Sequence, residues 1–134
     1  MSEPDPSASS RSLKVFVVEN HPDTIRALGG YLEGLGHQVT YAASQTEALE
    51  LLPGKACDVF ISDIGLPDGN GWELLERADL QSSVYCVAMS GFGANADRAR
   101  SRAVGYRRHL LKPFNPEELD AILDEASESR LILD

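Results

Sequence analysis

The segment DVFISDIGLPDGNG, residues 58–71, decides the fold of this chain. Its first half is an apolar run rich in Val, Ile and Phe, which is typical of a strand buried on both faces of a parallel sheet. The run ends at Asp63, and a loop of Gly, Pro, Asp and Asn follows. Because ligands gather at the carboxyl ends of strands in open parallel sheets, Asp63 is a candidate metal ligand, a candidate nucleophile, or both.

Three further apolar runs end in polar residues. Residues 15–18 are followed by Glu19 and Asn20, residues 84–89 by Ser90, and residues 109–111 by Lys112. An acid with an amide, an aspartate, a hydroxyl and a lysine therefore occur in chain order, each at a strand end and each before a helical segment. We expect these side chains to gather at one edge of the sheet.

Alternating strand and helix signals predict an α/β fold: a single (βα)5 doubly wound parallel five-stranded sheet in a flavodoxin-like three-layer sandwich. Strands are expected at residues 14–18, 38–41, 59–62, 83–89 and 107–110. Helices are expected from residue 22, at 44–52, 71–78 and 95–104, and from residue 116. Capping signals support two of the helix starts, a capping box from Ser44 to Glu47 and Asn115 before Pro116.

The helical periodicity also predicts which helix residues are buried. The fourth helix offers mostly Ala, so we expect it to be weakly held and able to move. The Gly29-Gly30 pair indicates close packing of the first helix. Buried positions are expected at Ile25, Leu28, Leu32 and Leu35 in the first helix, and at Leu119, Ile122, Leu123 and Ala126 in the fifth.

The composition indicates one globular domain at residues 13–134, preceded by a disordered tail at residues 1–12. The formal net charge of −9 argues against nonspecific binding to nucleic acid or to an anionic membrane. No apolar stretch approaches a membrane span and no signal region is evident, so a cytoplasmic location is expected. Cys57 and Cys86 are interpreted as reduced, buried thiols, with a disulfide or redox pair as the alternative.

These residues resemble the receiver domains of two-component response regulators, from about Leu13 to about Leu131. The most specific parts are Asp63 followed by LPDG at residues 66–69, Gly71, and LKPF at residues 111–114. The resemblance implies that Asp63 accepts a phosphoryl group from a histidine kinase or a phosphotransfer protein. It also implies that Lys112 and Ser90 bind the phosphoryl group, and that the peptide bond before Pro113 is cis.

The resemblance further implies a Mg²⁺ site made by Glu19, Asn20, Asp63 and the backbone carbonyl of Gly65. Receivers usually carry two consecutive acids after the first strand, whereas Asn20 is neutral. The pocket then holds one negative charge fewer, which predicts weaker metal binding. His21 is interpreted as a helix-entry residue and not as a ligand. Gly65, together with Gly69, is expected to let the backbone approach a ligand closely.

Two other departures concern switching and hydrolysis. Ser90 is the expected switch residue, and His109 occupies the place where receivers usually carry the Tyr or Phe that moves with it. His109 is therefore either a polar switch residue or a sign of weakened coupling. Gly65 and Phe92 occupy the two positions that tune hydrolysis in receivers. Neither side chain can orient a water molecule, so we expect a long-lived acyl phosphate.

Five arginines cluster in the predicted fourth helix and fifth strand, in a chain that has 12 basic residues. They form either a solvated face or a docking surface for an effector or a dimer partner on the face made by the fourth helix, fifth strand and fifth helix. We refer to this set as the arginine surface: Arg98, Arg100, Arg102, Arg107 and Arg108.

Three rival functions remain at this level. The rivals are a degenerate receiver that acts as a phosphorylation-independent interaction module, a receiver excised from a hybrid histidine kinase, and a phosphatase of the haloacid dehalogenase type. The phosphatase needs a second acid two residues after the nucleophile, where this chain has Gly65. The favoured interpretation is a phosphoacceptor signalling domain and not an enzyme in the ordinary sense.

Overall fold

A computed structural model describes residues 12–91 and 95–133 of the chain. The predicted N-terminal tail, apart from Ser12, lies outside the described residues, as does Phe92. Twelve elements follow one another, with five helices and one five-stranded sheet among them. Their bounds are β1 Lys14–Val18, α1 Pro22–Gly34, β2 Gln38–Ala42, α2 Gln45–Leu51, β3 Val59–Asp63, β4 Gly65–Leu66, β5 Gly69–Asn70, α3 Gly71–Ala78, β6 Tyr85–Ser90, α4 Asn95–Val104, β7 Arg108–Leu111 and α5 Pro116–Leu133.

The main sheet has the strand order β2-β1-β3-β6-β7, and every pairing in it is parallel. This confirms the predicted doubly wound fold, with the change of strand order beside β1 and β3. The register aligns the strand ends that matter: Val18 pairs with Ser62, Asp63 with Met89, and Ser90 with Leu111. The polar residues at these ends therefore reach the same edge of the sheet.

Two apolar clusters, one on each face of the sheet, make the three layers. Strand residues alternate between them because successive side chains point to opposite faces. Val15 and Val17 join the cluster with α1 and α5, whereas Phe16 and Val18 join the cluster with α2 and α3. The buried positions predicted for α5 are all found in the first cluster: Leu119, Ile122, Leu123 and Ala126.

The first helix corrects part of the predicted burial. Leu28 and Leu32 are fully buried, but Ile25 is only half-buried and Leu35 is 47% exposed. The predicted burial of Leu35 is wrong because Leu35 is the C-cap residue of α1, where the chain turns through Gly36 and leaves the helical face. Close packing at Gly29 is confirmed, since a Cβ there would clash with the side chain of Tyr41.

The helix starts are close to the predicted ones. The Ser44 hydroxyl accepts the Glu47 N–H at 3.0 Å, but Glu47 Oε1 accepts the N–H of Ala43 and not that of Ser44. Asn115 Oδ1 accepts the N–H of Glu117 at 2.8 Å at the start of α5. These caps satisfy backbone donors that have no partner inside the helix.

Helix α4 is held by polar and aromatic contacts in place of apolar bulk. Trp72 Nε1 of α3 donates to the Ser101 hydroxyl at 2.9 Å, and Ser101 is buried. The Arg100 guanidinium lies over the same indole ring, 4.0 Å from its centroid. The expectation that α4 is weakly held and able to move stays a prediction, and the helical periodicity did not indicate the contacts with Trp72.

Two observations complete the fold. Across residues 12–91 and 95–133, no helix has the combination of length and apolar character that crossing a bilayer requires.

Cys57 and Cys86 are both free thiols, and burial raises the pKa of each to about 12. Cys86 is buried and Cys57 is only partly buried, so the interpretation as buried thiols is confirmed for Cys86 alone. Because the thiolate is the reactive form of cysteine, a raised pKa makes each thiol less reactive near neutral pH.

Candidate functional site

The residues predicted to share one edge of the sheet do meet there. Asp63 is the last residue of β3 and Ser90 is the last residue of β6. Glu19 and Lys112 follow β1 and β7 directly. An open cleft of about 800 Å³ lies at this edge, and its lining residues are His21, Asp23, Thr24, Asp63, Ile64, Gly65, Ser90, Gly91, Lys112 and Pro113.

Lys112 joins the two carboxylates of the site. Its Nζ donates to Asp63 Oδ2 at 2.9 Å and to Glu19 Oε1 at 3.2 Å. The side chain of Glu19 is fully buried and that of Asp63 is 6% exposed. The peptide bond between Lys112 and Pro113 is cis, as the resemblance implied. A fixed cation therefore lies beside the carboxylate that the sequence identified as the candidate nucleophile.

His21 belongs to the same cluster, which the sequence analysis missed. Its Nδ1 lies 2.6 Å from Glu19 Oε2 and 4.0 Å from Asp63 Oδ2, and its backbone N–H also donates to Glu19 Oε2. His21 is the N-cap residue of α1, but its side chain makes no capping bond. The only sequence signal was its position two residues after Glu19, which does not reveal the direction of the ring. Asn20, between them, is exposed.

The charges of the cluster shift its pKa values in opposite directions. Burial raises the pKa of Asp63, and the nearby Glu19 carboxylate raises it further, so the net shift is upward despite the Lys112 bond. Burial also acts to raise the pKa of Glu19, but the bonds from His21 and the charge of Lys112 outweigh it, and the net shift is downward. Burial acts to lower the pKa of Lys112, and the two carboxylates reverse that into a net rise. Glu19 and Lys112 therefore stay charged as a pair.

The loop after Asp63 is tightly constrained. A Cβ on Gly71 would lie 2.5 Å from the carbonyl oxygen of Asp63, and the Gly71 N–H donates to the Ile64 carbonyl at 2.7 Å. The short antiparallel pair of β4 and β5, which was not predicted, spans the intervening residues. A Cβ on Gly65 would meet no described protein atom within 4 Å, so the expected close approach of a ligand at Gly65 stays a prediction. Gly71 is required by the close Asp63 carbonyl, and Gly69 is constrained as well, since its φ is +157° and a Cβ there would lie 2.5 Å from Gln45 Nε2.

Asp68 in the same loop caps a neighbouring helix. Its Oδ1 accepts the N–H of Gln45 at 2.8 Å, and its Oδ2 accepts both the N–H and the hydroxyl of Thr46. Because of these bonds, those of Thr46 foremost, the pKa of Asp68 falls to about 2. The LPDG segment therefore ties the loop of the site to the start of α2.

Ser90 and His109 are in direct contact. Ser90 Oγ lies 2.7 Å from His109 Nε2, and both residues are 8% exposed. His109 sits on the edge strand β7, where it pairs with Ala88 of β6. The sequence left its role open between a polar switch residue and weakened coupling. The structure places its ring against the hydroxyl of the predicted switch residue.

The arginine surface lies on the outer side of this pair. Arg98, Arg100, Arg102 and Arg107 are exposed, and Arg108 is half-buried and pairs with Glu125 at 3.1 Å. A small indentation of about 200 Å³ connects four of these arginines to His109, with lining residues Arg98, Ser101, Arg102, Tyr106, Arg107, Arg108, His109 and Glu118. The basic surface therefore begins one side chain away from Ser90.

The donor set at the cleft fits a divalent cation. Glu19, His21 and Asp63 each offer a ligand atom, and these atoms all lie within 4.8 Å of one another. Of the predicted ligands, Glu19 and Asp63 are thus brought together, while Asn20 and the Gly65 carbonyl stay predictions. The Gly65 N–H donates to Asp63 Oδ1 at 3.2 Å, which places Gly65 beside the cluster.

Comparisons with known proteins agree with the geometry. The sequence matches the response regulator receiver domain family over residues 15–124. It is 35% identical over 131 residues to the virulence sensor protein BvgS of Bordetella bronchiseptica, covering 91% of this chain and 10% of that protein. It is 32% identical over 115 residues to the probable transcriptional regulator ycf29 of Porphyra purpurea, covering 84% of this chain and 55% of that protein.

A solved receiver domain structure has a similar fold. The CheY-like response regulator receiver domain protein of Methanospirillum hungatei superimposes with a TM-score of 0.85 at 24% identity, over 92% of this chain and all of that one. The chain spans about half of the length of ycf29 and a tenth of the length of BvgS. With a family match over most of its length and the same doubly wound sheet, the chain belongs to the response regulator receiver domain family of two-component signal transduction.

Proposed function

We propose that Asp63 is the phosphoacceptor of this receiver domain. The observation that carries the proposal is the contact between Asp63 Oδ2 and Lys112 Nζ, 2.9 Å apart at adjoining strand ends in an open cleft. Asp63 is nearly buried, yet it lines the cleft, so a donor can reach it from one side. Phosphoryl transfer depends on positioning and on neutralising the phosphoryl oxygens, and this arrangement supplies both.

The transfer itself balances without a further reactant. A carboxylate oxygen of Asp63 forms a bond to phosphorus as the bond from phosphorus to the donor's leaving group breaks, and the leaving group departs with that electron pair. Lys112 neutralises the oxygens of the phosphoryl group. The Ser90 hydroxyl, on the same cleft, donates a hydrogen bond to one of them. The donor is a phosphohistidine of a histidine kinase or phosphotransfer protein, or a small acyl phosphate.

Mg²⁺ is the proposed cofactor. Bound by Glu19 and Asp63, with Asn20 and the Gly65 carbonyl as further oxygen ligands, it would add positive charge where the phosphoryl oxygens lie. The carboxylates are already close enough to share an ion. Because Glu19 also pairs with Lys112 and Asn20 carries no charge, we expect this Mg²⁺ affinity to be weak.

Intact mass measured after incubation with Mg²⁺ and acetyl phosphate tests the proposal. We expect a gain of one phosphoryl group in the wild type and none in Asp63→Asn. Asp79→Asn is the matched control, since Asp79 ends α3 in the left-handed conformation that Asn tolerates well. If Asp63→Asn still gained a phosphoryl group, the acceptor would be a different residue. No gain in the wild type would favour the degenerate receiver, and the family match sets the phosphatase alternative aside.

The lifetime of the acyl phosphate is a separate proposal. Gly65 has no side chain to orient a water molecule, and the space where a Cβ would stand is open. We therefore expect slow hydrolysis of the acyl phosphate. The loss of the added mass after the donor is removed measures its rate. A half-life under about a minute would contradict the expectation of a long-lived acyl phosphate.

We also propose the arginine surface as the face for an effector or a second receiver. Its positive charge in a chain of net charge −9 favours an acidic partner. The variant Arg98→Glu/Arg102→Glu should keep its mass gain from acetyl phosphate, since both side chains lie away from the cleft. Binding to a purified partner should weaken, and high salt should weaken the wild-type complex in the same way. A partner that binds both forms equally docks elsewhere.

A further inference from the structure

We infer that His21 is a metal ligand of this receiver, and that its nitrogen makes the site prefer first-row transition-metal dications such as Mn²⁺ and Zn²⁺ over Mg²⁺. The inference deepens the proposed function, because it concerns the cation at the same site. It rests on that function only for the location of the site, since metal binding is measured without any phosphodonor.

The first support is the direction of the ring. His21 Nδ1 is 2.6 Å from Glu19 Oε2 and 4.0 Å from Asp63 Oδ2, so it points into the gap between the two carboxylates. Its side chain is 61% exposed, which leaves Nε2 free to carry the ring proton at the solvent side when Nδ1 binds an ion. Metal–ligand bonds of about 2.1 Å place neighbouring ligand atoms roughly 3 Å apart, which a small movement of His21 provides.

The second support is the chemistry of the donor set. Two carboxylates and one imidazole offer two oxygens and a nitrogen within 4.8 Å of one another. Mg²⁺ favours oxygen ligands and near-ideal octahedral geometry, whereas imidazole suits zinc and the other late first-row metals. A nitrogen ligand therefore adds most affinity for Zn²⁺, less for Mn²⁺, which like Mg²⁺ favours oxygen ligands, and least for Mg²⁺.

The third support is that the usual position of the second acidic ligand is neutral in this chain and that His21 comes directly after it. Asn20, at the position where receivers carry a second acid, is exposed and neutral, while the next residue turns its ring towards Glu19 and Asp63. The hydrogen bond to Glu19 Oε2, and not a capping bond to α1, holds the ring in this orientation beside the carboxylates. Lys112 holds Glu19 Oε1, which leaves Oε2 on the side of His21.

Calorimetric titration of the metal-free protein with Mg²⁺, Mn²⁺ and Zn²⁺ tests the inference, using wild type, His21→Ala and Asn20→Ala. We expect His21→Ala to lose about tenfold or more in affinity for Zn²⁺, to lose less for Mn²⁺ and to stay within about twofold for Mg²⁺. Both variants should fold, because both residues are exposed, and His21→Ala loses only the side-chain bond to Glu19 while the backbone N–H of residue 21 still donates to it. Asn20→Ala should keep the order Zn²⁺, Mn²⁺, Mg²⁺ from tightest to weakest.

Pulsed electron paramagnetic resonance of the Mn²⁺-loaded protein supplies the direct readout. A ¹⁴N modulation present in the wild type and absent from His21→Ala would identify the imidazole as a ligand. A modulation unchanged in His21→Ala would overturn the inference, as would equal loss of all three metals. If the metals bind through His21 but acetyl phosphate adds no mass to Asp63, the metal site stands and the proposed function fails. If acetyl phosphate adds mass to Asp63 but the metals do not bind through His21, the proposed function stands and the inference about His21 fails.

Discussion

Ser90 Oγ and His109 Nε2 are joined by a 2.7 Å contact between neighbouring strands, with both side chains nearly excluded from solvent. In this receiver the predicted switch residue is thus linked to its neighbour on β7 by a polar bond and not only by the volume that an aromatic ring would fill. The same histidine lines the indentation of the arginine surface. A displacement of Ser90 therefore has a direct route to the surface proposed for partners.

The first prediction concerns the cost of breaking this contact. We expect Ser90 to move towards a phosphoryl group on Asp63, which lengthens the bond to the buried His109. A hydrogen bond of this kind contributes about 1 kcal/mol net, so His109→Phe should raise the rate of mass gain from acetyl phosphate about fivefold. In a Ser90→Ala background the same substitution should have no effect. An equal increase in both backgrounds would show that His109 acts independently of Ser90.

The second prediction concerns Lys112, the cation between two carboxylates. Lys112→Met leaves buried Glu19 and Asp63 without their shared donor, so the free energy of unfolding should fall by about 2 kcal/mol, less than for a fully enclosed pair because the cleft is open. Urea denaturation measures the loss. Adding Glu19→Gln removes one of the two charges and should recover part of the stability. If Glu19→Gln lowers stability further, the charge of Glu19 is stabilised by groups other than Lys112.

The third prediction concerns Gly71. A Cβ there would meet the Asp63 carbonyl oxygen at 2.5 Å, so Gly71→Ala must shift the backbone that carries the candidate nucleophile. We expect a loss of about 2 kcal/mol in stability together with slower phosphorylation. The control is Gly30→Ala in α1, where a Cβ would meet nothing within 4 Å and should add up to about 1 kcal/mol. Unchanged phosphorylation in Gly71→Ala would show that the loop adjusts without moving Asp63.

The fourth prediction concerns the pH dependence of the Asp68 cap. The pKa of Asp68 is about 2 in the folded protein, below the value near 3.9 expected when the chain is unfolded. The stabilisation is therefore complete above about pH 4 and is lost as the pH falls towards 2. Asp68→Asn should lower the melting temperature near neutral pH, and its difference from the wild type should shrink in acid. A difference that does not change with pH would mean that the charge contributes nothing.

Most of the fold and most of the site could be predicted from the sequence. The run from Val59 to Asp63 and the shorter apolar runs predicted parallel strands because buried strands need continuous apolar residues. Once the sheet is parallel, the polar residues after those runs must share one edge, which is why Asp63, Ser90 and Lys112 were found together. The receiver motif was equally local, since LPDG and LKPF are read within a few residues.

The errors have a common cause, which is the direction of individual side chains and backbone groups. Leu35 fits the helical period but sits at the C-cap, so the period overestimated its burial. Gly65 and Gly71 look alike in a sequence, and only the folded loop shows that Gly71 faces the Asp63 carbonyl. The aim of the His21 ring depends on where Glu19 and Asp63 lie in space, which spacing along the chain does not contain.

The sequence by itself determined the order of strands and helices, the edge of the sheet that carries the chemistry, and the identity of the acid, hydroxyl and lysine there, because apolar patterning and strand ends are properties of short segments. Tertiary structure decided which of those groups touch. The bonds from Lys112 to Glu19 and Asp63, the contact of Ser90 with His109, and the turn of His21 towards Glu19 each depend on strand register and helix entry, which the packing of the whole chain fixes.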